Sequence, residues 1–83
     1  MVGTMAESTL TQLAIVGEAF EVDRNEVIQD AWVALTWKGA ADELVAWLCD
    51  RHRWQAELAV AYLTMLQSVR RFGRVDQPGV QRW

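Results

Sequence analysis

Between Leu10 and Phe72, apolar residues recur every three or four positions in four successive blocks, the repeat that lines one face of a helix. That periodicity limits the chain to a helical fold, and a length of 83 residues limits it to one core. The expected architecture is all-α: a compact bundle of about four helices, approximately 8–20, 24–37, 41–51 and 55–72, with a loose C-terminal tail. Residues 1–73 form the expected domain and 74–83 the extended tail, where Pro78 and Gly79 signal a turn. MVGT is read as an added leader, with Met5 as the natural start.

Local signals mark most of the boundaries. Ser8 is a reasonable N-cap for the first helix, and Thr4 with Glu7 makes a competing capping box. Asp23 is placed to accept the backbone N–H of Glu26, Glu26 to reach back, and Val22 to staple onto Val27. From there Val27, Ile28, Ala31, Trp32 and Leu35 make one apolar stripe, with Val33 and Trp37 outside it. Lys38 and Gly39 suit the helix end, a cation at the negative pole of the dipole and a residue tolerant of the left-handed region. Asp42 and Glu43 open a third helix. The periodicity lapses over residues 50–55, DRHRWQ, without Gly or Pro, and a turn there is favoured over one continuous helix. Leu58, Tyr62, Met65, Leu66, Val69 and Phe72 line the fourth helix, and Ala59, Val60 and Leu63 widen the stripe around most of its girth, as in the central helix of a bundle.

A 52% hydrophobic composition excludes general disorder. The five tryptophans, Trp32, Trp37, Trp47, Trp54 and Trp83, are too many for so small an interior, since each ring buries roughly 150 to 250 Å². The single cysteine, Cys49, forbids an internal disulfide and fits a reducing, cytoplasmic setting. The N-terminus lacks a signal-peptide pattern, and the run Leu58 to Val69 falls short of a membrane span, so no membrane partner is expected. Residues 1–50 carry nine acids against Arg24 and Lys38, net −7; residues 51–83 carry six arginines against Glu57 and Asp76, net +4. A chain so polarised neutralises itself within its fold, pairs head to tail with a copy, or offers its arginines to an acidic partner.

Few residues are equipped for catalysis or metal binding. Cys49 and His52 would share a helix face at i, i+3, where an imidazolium activates a thiolate, but no third group supports the pair. The reading is of a small core cysteine and a polar turn histidine. Zinc wants more protein ligands than this pair supplies, and no glycine-rich phosphate loop is present. No catalytic residue, metal or cofactor is expected.

VGEAFEVDRNEVIQDAW, residues 16–32, resembles the helix–turn–helix portion of ribbon-helix-helix repressors and, more loosely, of helix-turn-helix repressors. Gly17, Val22, Arg24, Glu26, Val27, Ile28 and Ala31 fall at matching places over about a quarter of the chain. The resemblance implies a small dimeric DNA-binding regulator or antitoxin, with Arg24 and Asn25 as DNA contacts. Three features depart from it: residues 1–23 hold no Lys or Arg, Glu21 replaces a turn glycine, and Asp30 stands at an apolar position. Arg70, Arg71, Arg74 and Arg82 with Trp83 form a second patch suited to a single strand, though two of them double as C-capping cations.

The surplus of apolar surface favours a different reading: a non-enzymatic helical module for protein association, through self-assembly or through adaptor or inhibitor docking. Its expected partner is a protein or a second copy, with nucleic acid second in rank. Val33, Trp37, Trp54, Arg70 and Arg71 are the expected interface residues.

Overall fold

The structure, a computed structural model, describes residues 7–72. Four helices occupy this span: α1 Glu7–Phe20, α2 Arg24–Thr36, α3 Ala41–His52 and α4 Ala56–Phe72. The expected bundle is the observed one, with boundaries moved by a residue at most. Thr4, Arg74, Arg82, Trp83 and the rest of the tail lie outside the described residues. Among the described residues no helix is long and apolar enough to cross a membrane.

Ser8 lies within α1 and does not cap it. At the other end Glu21 takes a left-handed φ of 57°. The Val22 N–H then reaches the Gly17 carbonyl at 2.8 Å and the Glu21 N–H reaches that of Glu18 at 3.4 Å, the Schellman pair of bonds that closes a helix. Gly17 permits close approach of α2, because a Cβ there would stand 2.8 Å from both the Val22 carbonyl oxygen and Val27 Cγ2. The turn between α3 and α4 repeats this solution. Arg53 has φ 60°, and the Trp54 N–H bonds the Cys49 carbonyl at 3.0 Å. The glycine-free DRHRWQ stretch therefore turns through a non-glycine residue held left-handed.

Two expected caps take another form. Asp23 accepts from the backbone N–H of Asn25 at 3.1 Å, two residues on, and Glu26 directs its carboxylate toward His52, so the reciprocal box does not close. α2 ends at Thr36, with Trp37 already extended and Gly39 outside the left-handed region. A Cβ at Gly39 would meet the end of the exposed Glu43 side chain, which can swing away, and stand 3.2 Å from Trp37 Nε1.

α4 is the central element, packing against α1, α3 and α2, while α1 also packs on α2. The core comprises Leu13 and Val16 of α1, Val27 of α2, Leu44 and Leu48 of α3, and Ala59, Tyr62, Leu63, Leu66 and Val69 of α4. Two inferred stripes are rotated. On α2 the fully buried positions are Val27 and Asp30, while Leu35 is 42% exposed. On α4 the inner line runs through Ala59, Tyr62 and Leu66, leaving Leu58 and Val60 exposed. In both helices the residues displaced outward are large aliphatic ones.

Candidate functional site

The rotation of α2 has two consequences, one polar and inside, the other apolar and outside. Inside, it buries the Asp30 carboxylate completely. Asp30 Oδ1 accepts from Arg51 Nε at 2.6 Å; Oδ2 lies 2.8 Å from His52 Nε2 and accepts the Tyr62 hydroxyl. Arg51 also donates to Gln29 Oε1 at 3.1 Å and lies 5.3 Å from the Trp47 ring centroid. His52 carries Glu26 Oε1 3.9 Å from its other nitrogen and stacks on Trp54 at 4.4 Å. Burial, then the hydrogen bond to Asp30 and the charge of that carboxylate, push the Tyr62 hydroxyl far above its ordinary pKa. The phenol stays a proton donor well above the pH at which a free tyrosine ionises.

This cluster is a satisfied interior network. No buried side-chain nitrogen or oxygen among the described residues lacks a hydrogen-bond partner. It joins α2, α3 and α4 through one carboxylate and explains the departure of Asp30 from an apolar residue. His52 is engaged with Asp30, while Cys49 is a half-buried free thiol. Among the described residues no group of three or more His, Cys, Asp or Glu side chains is placed to hold a metal ion.

Outside, the rotation opens a groove of about 310 Å³ between α1, α2 and α4. Leu13 forms its floor, with Leu66 and Val69 of α4 on one side and Ala31, Trp32, Ala34 and Leu35 of α2 on the other. Thr9, Gln67 and Arg70 stand at its polar edge. A neighbouring recess, lined by Gln67, Arg70 and Arg71, continues that edge. Among the described residues neither arginine has an ion-pair partner.

The five expected interface residues separate into two groups. Arg70 and Arg71 are exposed beside the groove. Val33 is half-buried against the core. Trp37 packs near Trp47 at 6.4 Å and donates its indole N–H to the Ala40 carbonyl at 3.0 Å. Trp54 fills the space between Phe20, His52 and Tyr62, with ring centroids 5.8, 4.4 and 4.9 Å away. Arg24 and Asn25 are exposed in the first turn of α2. Trp32 and Leu35, which line the groove, belong to the apolar stripe that periodicity finds on α2.

No family model, curated protein or solved structure matches the chain.

Proposed function

We propose that the protein is a non-enzymatic helical association module whose α1/α2/α4 groove receives apolar side chains from a protein surface edged with acidic residues. The groove itself carries the reading: large apolar side chains line an open recess, Arg70 stands at its edge and Arg71 in the adjoining recess, and neither is ion-paired among the described residues. Apolar burial would supply the affinity, and the arginines would set orientation and the rate of encounter. Arg70 and Arg71 thus keep the interface role inferred from the sequence, and Trp32 and Leu35 take the place of Trp37 and Trp54, which are half-buried against the core.

A synthetic amphipathic helix with leucines at i, i+3, i+4 and i+7 and glutamates along both flanks tests the proposal by NMR titration. Shifts are expected at Leu35, Leu66, Arg70 and the Trp32 indole, and Leu35→Glu should abolish them without loss of helicity. A peptide that leaves those signals unmoved at millimolar concentration, or that binds the Leu35→Glu chain as well as the parent, overturns the reading.

A further inference from the structure

We infer that the occupant of the groove is a second copy of this chain, docked through its α3–α4 face in a head-to-tail contact. This inference rests on the association reading above and assigns its partner. Val45, Ala46 and Cys49 of α3 and Val60 of α4 line a second apolar depression. Asp42 and Asp50 stand at its edge, and Val60 is 48% exposed, the most exposed large apolar residue in the described structure. Among the described residues neither carboxylate is ion-paired.

The two surfaces share no residue and are opposite in character where it matters for recognition. The groove is apolar with Arg70 at its edge and Arg71 in the adjoining recess; the depression is apolar with Asp42 and Asp50 at its edge. Asp30 takes Arg51, while among the described residues these four charges have no ion-pair partner. A copy of the chain supplies both halves of the match: apolar area for apolar area and two carboxylates for two guanidinium groups. Like surfaces repel, groove against groove by the arginines and depression against depression by the aspartates. The contact is therefore heterologous, and each added subunit presents a fresh groove or a fresh depression, so assembly continues or closes into a ring.

Sedimentation velocity over a wide concentration range, with variants that block one surface at a time, tests the contact. The mass of the parent chain should rise past that of a dimer. Leu35→Glu blocks the groove and Val60→Glu the depression; both positions are exposed, and circular dichroism checks that each variant folds. Each alone should be monomeric, and an equimolar mixture should give a dimer and nothing larger, since each partner retains one working surface. As a check independent of apolar substitution, R70E/R71E should weaken self-association about tenfold or more. Mixing it with D42K/D50K should restore the lost mass.

A dimer ceiling with either single-site variant still dimeric overturns the head-to-tail geometry. A parent chain monomeric at all concentrations whose groove still takes the synthetic helix overturns self-docking and leaves the association reading standing. A groove that takes neither overturns both.

Discussion

The Asp30–Tyr62 contact makes a double-mutant cycle the sharpest test of how the interior is held. Tyr62→Phe deletes one hydrogen bond to a charged acceptor and should cost about 1.5 to 3 kcal/mol. Asp30→Leu removes the acceptor shared by Arg51, His52 and Tyr62, and loss of one side of a buried ionic contact costs about 3 to 5 kcal/mol. The lower end applies, because Arg51 keeps Gln29 as an acceptor and its side chain is 24% exposed. Tyr62 has no such escape at 0% exposure, so much of the cost is its stranded hydroxyl. Adding Tyr62→Phe to Asp30→Leu should therefore return about 1 to 3 kcal/mol, reversing its sign relative to the parent background. Urea unfolding followed by tryptophan fluorescence measures each corner. The parent stability is only about 4 to 12 kcal/mol by size, so the Asp30→Leu chain needs a stabilising osmolyte. Costs that add to within about 0.5 kcal/mol would refute the reasoning, since residues sharing a hydrogen bond cannot be independent.

Three further outcomes follow from local geometry. Tyr62 is the one tyrosine, and its folded pKa lies above the unfolded value of about 10, so its contribution to stability is complete below pH ~10 and declines as pH rises beyond that. An alkaline titration should show phenolate absorbance appearing together with the loss of helical circular dichroism; phenolate appearing in the folded chain near pH 10 would contradict the burial. Glu21→Gly and Arg53→Gly each relieve a left-handed residue and should raise stability by about 0.5 to 1 kcal/mol, seen as a higher urea midpoint at unchanged slope. Gly17→Ala gains helix propensity but drives a methyl against the Val22 carbonyl and Val27, so the net is a loss of about 1 to 2 kcal/mol in the same assay; a gain would mean that α2 gives way easily.

The four helices were legible because their signals are local: spacing within a block, acids in a first turn, a cap at Asp23. The α3–α4 turn was harder to read because its left-handed residue is Arg53, and no residue type announces such a position except glycine or asparagine. The groove and the buried network escaped for a single reason. Periodicity located the apolar stripe of α2, with Trp32 and Leu35 on it, but not its rotation, and it gave Asp30 no place in the core. Asp30 lies 21, 22 and 32 residues from Arg51, His52 and Tyr62, separations that no helical spacing relates. One trace was present: Asp30 follows Val27 by three residues and precedes Ala31 and Ala34 on the same face, where a carboxylate needs buried donors. Tyr62, within the apolar line of α4, needed an acceptor for its hydroxyl.

The sharing of that carboxylate between two halves of the chain bears on how the protein is made. During synthesis α1 and α2 leave the ribosome first, carrying Asp30 on the face that must close. All three of its charged or hydroxyl partners come later in the chain, the last at Tyr62. Closing the core earlier would bury a carboxylate without its donors, which costs free energy. A chain that closed this core before α4 emerged would lack the hydroxyl that Asp30 accepts in the folded protein, an energetic cost that disfavours early collapse.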